Sequence, residues 1–386
     1  MISRLVSRCR PADRESGQAS MVTVAMFMML FAAIAVSFTF VVISASRQAL
    51  NDSLQSSAKI AAESGVEDAK RLIVYCYNKR SGGSYTTSDA QQLCPQVVGK
   101  LSTQLEGMGC DEILEPMKGK GISDVEEESN GRGYRVKVGN NSGGKNENNE
   151  YYQCLKIATK TDNYQGVVNN LGKSVIVPLR VVDKYNQAAV IDRLEIEWHR
   201  NVTGNDGDDP AVMNGAQGTG LPKTTTWNSS NRPAVLRVER VGVPKGPFTL
   251  NSLADSDTAL TLRPSVNGNG GGKDKNRYHL GDYKPYYQSG RDSIAPNNQY
   301  GGKAPIVEVK CDGADYACKT IFEDSLDTTK TDYYLRINAI YRSTHFKITA
   351  YQGKDKLYFD GVQPLVDVTG RSSDSFSRIQ ARLKPS

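Results

Sequence analysis

The chain has 386 residues, 38% of them hydrophobic, with 19 tyrosines, 35 glycines and a formal net charge of +6. That apolar share is too high for a disordered polymer. The positive excess is too mild and too dispersed to argue for a nucleic-acid partner.

Residues 1–17 form a basic leader carrying Arg4, Arg8, Arg10 and Arg14 and ending in Ser16-Gly17. Between Glu15 and Arg47 there is no charged residue, and the run 19–46 is rich in Met, Phe, Val, Ile and Ala. It exceeds the roughly 20 apolar residues that cross a hydrocarbon core about 30 Å thick. Arginines on the leading flank hold that side in the cytoplasm, so the chain after Arg47 is expected beyond the cytoplasmic membrane. Ser44-Ala45-Ser46 is only a loose match to a signal-peptidase site, which makes simple secretion the weaker reading. A plain single-span anchor and a segment cut on its cytoplasmic side both remain open.

From Arg47 to Tyr75 there is no proline, and Leu50, Leu54, Ala58, Ala61, Gly65, Ala69 and Leu72 recur at the spacing of one helical face. A single helix over 18–75 would be roughly 87 Å long, greasy in its first half and amphipathic in its second. The small residues of the stripe would let another helix or a sheet approach closely. The alternative is a spanning helix followed by an independent juxtamembrane helix.

These residues resemble the type IV pilins and their relatives, the minor pilins and pseudopilins. The likeness rests on the leader ending in Gly17, the uncharged run 18–26, and the stretch Ala61-Ala62-Glu63-Ser64-Gly65-Val66-Glu67-Asp68-Ala69. It covers about the first fifth of the chain. The resemblance implies cleavage between Gly17 and Gln18 by a membrane-embedded prepilin peptidase, methylation of the new amine, and partners in other pilins and an inner-membrane assembly platform. Glycine suits a protease that needs an unhindered backbone. Major pilins carry a glutamate at the fifth mature position; here that position is Val22. A buried charge is costly unless paired, so the departure favours an end position or a minor role. Tight-adherence type pilus proteins, with similar leaders, are a related alternative.

About 310 residues follow the helix, enough for one large or two ordinary domains. The expected division is 76–200, a loop or linker at 201–233, and 234–386. Cys9 lies in the leader, leaving Cys76, Cys94, Cys110, Cys154, Cys311 and Cys318, an even set that suggests disulfides in an oxidising compartment. Six cysteines allow fifteen pairings. Cys311 with Cys318 is the natural local pair, and Cys76 with Cys94 and Cys110 with Cys154 would complete a nearest-neighbour set. Zinc competes weakly, since no Cys-x-x-Cys occurs and no histidine lies near a cysteine.

Beyond residue 130 the period turns from helical to alternating. Segments 134–138, 194–198 and 379–383 put apolar side chains on one face only. Further strands are expected at 152–159, 174–182, 234–241 and 304–311, with a hairpin of 333–341 and 346–351 turning at Arg342-Ser343-Thr344-His345. The fold class is therefore α+β: a long N-terminal hydrophobic-then-amphipathic helix followed by a β-rich, mostly antiparallel globular head.

Polar segments 140–150, 204–230 and 267–302 read as surface loops. Gly268-Asn269-Gly270-Gly271-Gly272-Lys273-Asp274 misses the phosphate-loop register and has Asp274 where Ser or Thr is needed. Asn205-Asp206-Gly207-Asp208-Asp209 offers oxygen ligands for calcium but lacks EF-hand spacing; a solvated turn is the plainer reading. His199, His279 and His345 are far apart in sequence, no Gly-x-Ser-x-Gly elbow occurs, and no catalytic constellation, cofactor or metal is expected. Arg277, Tyr278, Tyr283, Tyr286 and Tyr287 make one loop aromatic and cationic, suited to a glycan, a cell surface or a neighbouring subunit, or else folded onto its own sheet. The expected role is a non-enzymatic minor pilin or pilin-like structural subunit. The alternative is a single-span membrane-anchored adhesin that never polymerises.

Overall fold

The computed structural model describes residues 16–81, 84–121, 123–128, 133–138, 150–169, 172–202, 207–208, 227, 232–246, 258–265, 276–282 and 306–384. Helix α1, Ser16–Asn78, runs unbroken for 63 residues, about 95 Å at 1.5 Å per residue. Its continuity follows from sequence. No proline lies between Pro11 and Pro95, and Gly17 and Gly65 are the only glycines in the helix.

Two short helices follow. In α2, Ser88–Val97, the Thr87 side chain accepts from the Ala90 amide at 3.3 Å and so caps the first turn; Ala90, Leu93, Cys94 and Val97 turn inward. Helix α3, Asp111–Met117, buries Ile113, Leu114 and Met117. Strands β1 (Val125–Glu127), β2 (Tyr134–Lys137) and β3 (Glu150–Thr161) come next.

The chain then builds a two-sheet sandwich. Its strands are β4 (Tyr164–Val168), β5 (Val175–Pro178), β6 (Arg193–Arg200), β7 (Val235–Pro244), β8 (Thr258–Ser265), β9 (Ile306–Lys310), β10 (Tyr316–Phe322), β11 (Thr331–Ile340) and β12 (Thr344–Gln352). One sheet has the order β10-β6-β12 with β4 also on β12; the other runs β9-β8-β7-β11-β5. Pairing is antiparallel except for β8 with β9 and for Arg277–Tyr278, which lies parallel on β10. The long strand β13, Tyr358–Ser372, leads back to a last strand β14, Ser375–Arg382. These complete an antiparallel sheet, β14-β13-β3-β2-β1, beneath the helix.

Two cores result. The proximal one joins Ala62, Ala69 and Leu72 of α1 with the buried faces of α2 and α3 and with Tyr152, Leu155, Ile157, Val366 and Val368. The distal one fills the sandwich around Trp198, Phe322, Phe346 and Phe359. The expected boundary at 201–233 is therefore corrected. The chain leaves the proximal sheet after Thr161 and re-enters it along β13, so the sandwich is inserted into the proximal module.

The expected hairpin at 342–345 is also corrected. Strands β11 and β12 belong to different sheets, and Tyr341 takes a left-handed φ of 77° where the chain crosses between them. Leu335 and Ile337 on one side and Phe346 and Ile348 on the other then bury into the same core. The predicted strand at 174–182 divides into β5 and a two-residue strand, Val181–Val182, which pairs with β13.

Candidate functional site

The first half of α1 is the most unusual surface of the molecule. Every residue from 21 to 53 is exposed, including Met21, Phe27, Leu30, Phe31, Phe38 and Phe40. No charge interrupts residues 16–46, a stretch of roughly 45 Å in a helix. Two of its hydroxyls bond to the preceding turn: Ser37 Oγ donates to the Ala33 carbonyl and Thr39 Oγ1 to that of Ala35, each at 2.8 Å. Hydroxyls bonded in this way can enter lipid without leaving a donor unpaired. The helix is long and apolar enough to cross a membrane.

The second half is a mount. Of the expected stripe, Ala58, Ala61, Gly65, Ala69 and Leu72 are buried, Leu54 is half-buried, and Leu50 remains 60% exposed. Leu50 continues the helical period past the edge of the head, so it has no sheet beneath it. The stripe is small because the sheet comes close. A Cβ on Gly65 would lie 2.5 Å from Val368 Cγ1 and 3.0 Å from Tyr152 Cγ, and one on Gly370 would collide with the Ala58 carbonyl oxygen and the Ala62 amide. Glycine in β13 thus lets helix backbone touch strand backbone.

Polar contacts pin this seat. Asp68, buried on α1, accepts from Tyr152 Oη at 2.9 Å and from Ser123 Oγ at 2.7 Å, and Arg71 lies 3.7 Å from its other oxygen. Burial, and then the Asp68 carboxylate, push the Tyr152 hydroxyl up, so it stays a neutral donor. At the end of the helix, Tyr77 donates to Asp360 Oδ1 at 3.2 Å, and Arg180 donates to the Asp360 carbonyl at 2.8 Å while its guanidinium sits 5.3 Å from the Tyr77 ring. Burial, then Asp360, raises the Tyr77 hydroxyl likewise. The helix end, the proximal sheet and the inserted sandwich meet at these three residues. The sequence stripe identified the apolar contacts but not Asp68, Tyr77 or Gly370, because their partners are 84, 283 and about 310 residues away along the chain.

Three disulfides close the head. Cys76–Cys94 ties the end of α1 to α2, Cys110–Cys154 ties the start of α3 to β3, and Cys311–Cys318 closes the loop between β9 and β10. Gly17 and Gln18 fall in the first turn of α1. The backbone there is helical. The first four N–H groups of a helix lack intrahelical partners, so this turn is the easiest to unwind.

The aromatic loop falls only in part within the described residues. Tyr283, Tyr286 and Tyr287 lie outside the described residues, as do Gly268 to Asp274. Arg277 is ion-paired with Glu323. Tyr278 packs against the distal core and donates to the Glu308 carbonyl at 2.8 Å, which fits a tyrosine folded onto its own sheet.

In the acidic cluster, Asn205, Asp206 and Asp209 lie outside the described residues. Asp208 fastens two strands together. Its Oδ2 accepts from the Arg200 amide, Thr344 Oγ1 and the His345 amide at 2.8–3.0 Å, and its Oδ1 lies 2.9 Å from His345 Nδ1. Among the described residues no group of three His, Cys, Asp or Glu side chains could hold a metal ion.

Fold and site together define a class: a disulfide-bearing α+β head carried on one N-terminal helix able to span a membrane. Comparison with protein-family models, curated proteins and solved structures finds no match.

Proposed function

We propose that this protein is a minor pilin or pilin-like structural subunit, built into or capping a filament of the type IV pilus kind. The observation that carries the reading is the division of labour along one unbroken helix. Its second half is spent on the proximal sheet through Ala58, Gly65 and Gly370, while its first half is apolar and bare. A subunit that waits in a membrane and then packs among other such helices needs this arrangement. The same oily surface suits lipid first and neighbouring helices afterwards.

In this reading the basic leader stays in the cytoplasm, a prepilin peptidase removes residues 1–17, and an inner-membrane platform lifts the chain from the cytoplasmic membrane. The head then stands at the cell surface or on the pilus. Val22, at the fifth position of the trimmed chain, brings no carboxylate to meet a neighbour's terminal amine. That supports a place at the end of a fibre. The same lack of an acid favours the second reading, a single-span anchored adhesin that never polymerises.

Mass spectrometry of sheared surface fibres separates the two. The pilin reading expects this chain in the fibres with Gln18 as its first residue. Recovery only from membranes, with Met1 retained, would establish the anchored form instead.

A further inference from the structure

On the outer face of the sandwich, a groove of about 300 Å³ runs beside the Cys311–Cys318 loop. Glu197, Lys310, Asp312, Asp315, Tyr316 and Lys319 line it, with Ile321 at one end. This volume is at the lower limit of small-ligand sites.

The walls are rigid. Besides the disulfide, the Gly313 amide donates to the Ala317 carbonyl at 3.0 Å. Asn201 donates from its side chain to the carbonyls of Gly313 and Ala314, each at 3.0 Å. On the opposite wall, Asn276 Nδ2 donates to the carbonyls of Lys310 and Lys319, and its Oδ1 accepts from the Lys310 amide at 2.9 Å. A site held this way spends little entropy when it binds.

Its charges are already matched. Lys310 pairs with Asp312 at 2.6 Å, Lys347 with Glu197 at 2.7 Å, and Lys319 with Glu195 at 2.9 Å. Asp315, exposed on the loop, takes no part in these pairs. Three carboxylates along the groove disfavour an anion, and the lysines beside them disfavour a cation. What remains is a dense, alternating set of fixed donors and acceptors, with carbon surface from the half-buried Ile321 at one end; the Tyr316 ring is buried, with Lys347 Nζ 4.8 Å from its centre. A peptide adding as a strand would need a free backbone edge; along β10 Arg277–Tyr278 pairs with Ile321 and Phe322, and the carbonyls of Lys319 and Ala317 already accept from Asn276 Nδ2 and the Gly313 amide.

We infer that this groove binds a neutral, polyhydroxylated ligand of one or two sugar rings. Ring hydroxyls donate to Asp312, Asp315 and Glu197 and accept from Lys310 and Lys319, and a C–H face lies against Ile321. The inference is independent of whether the helix polymerises, because the groove lies wholly within the inserted sandwich.

The test is saturation-transfer NMR on the full chain in lipid nanodiscs. Glucose, galactose, N-acetylglucosamine and lactose serve as probes, and sialic acid and an acidic peptide as charged comparators. The expected result is transfer to at least one neutral saccharide, weakened roughly tenfold by Asp315→Ala, the loss of one charge-assisted hydrogen bond. Asp312→Ala should weaken it as well, and Asp374→Ala, in the turn between β13 and β14, should not. Asp315 makes none of the ion pairs of the groove, so Asp315→Ala should melt like the parent chain. Absence of transfer to all four neutral sugars, preference for a charged comparator, or binding indifferent to both groove variants would each overturn the inference.

Discussion

The proximal and distal modules are both built from antiparallel strands, but they close their cores differently. The distal module lays one sheet over another and closes its core between them, with Phe359 and Val362 added from the start of β13. The proximal module has a single sheet, whose apolar face needs a cover, and α1, α2 and α3 supply it. A sheet with one apolar face must bury it against another layer. The lower half of the long helix is therefore part of the head, and only the upper half is free for another task.

The strongest way to break this comparison is to shorten the helix. A chain beginning after residue 50 should keep slow hydrogen exchange throughout the head. One beginning after residue 78 should lose protection along β3 and β13 while β6 and β12 stay protected. Loss of protection in both modules at once would mean that they fold as one unit.

Trp198→Ala tests the other side. Trp198 is fully buried in the distal core, and its Nε1 donates to the Ala234 carbonyl at 2.9 Å. Truncation should cost about 3–5 kcal/mol. Chemical denaturation should reveal a separate early transition, with the exchange of α1 residues 58–76 unchanged.

Gly370→Val should have the mirror effect. The added carbons meet helix backbone at Ala58 and Ala62, so the helix must lift from the sheet at a cost of about 3 kcal/mol. Thermal melting should fall, with exchange rising in α1 and β13 while the sandwich is spared. A variant with unchanged melting would show that the close seat is not what holds the helix.

The smallest expected effect sharpens the contrast through pH. Asp367, on β13, is buried, which raises its carboxyl, yet hydrogen bonds and charge from Arg378 outweigh burial and hold the group below its ordinary value. A depressed folded-state pKa stabilises fully above the unfolded value, and that stability is lost as pH falls through the folded value. Arg378→Gln should lower proximal stability at neutral pH and flatten its decline below about pH 4. Urea titrations at pH 7 and pH 3 give the comparison.

Much of the proximal seat was legible because a helix repeats locally. Ala58, Ala61, Gly65, Ala69 and Leu72 announce a buried face by spacing alone, whereas Leu50 satisfies the same spacing with nothing beneath it. Strand β13 escaped notice. Gly361, Pro364 and Gly370 interrupt its pattern, and its register breaks between Asp360 and Leu365. The groove could not be found in this way, because Lys310 and Glu197 come from different sheets and meet only through Asn276 and the disulfide loop.

The amino-acid order alone determined the uncharged apolar run, the continuous helix and the alternating strands. These depend on side chains within a few turns or residues of one another, which hydrophobic periodicity reports directly. Tertiary structure decided where the helix leaves the head, that a sandwich is inserted between β3 and β13, that β11 and β12 part into different sheets, and what surrounds Asp68. Each of these depends on which distant surfaces meet, and loop-closing contacts across tens to hundreds of residues leave no periodic trace in the chain.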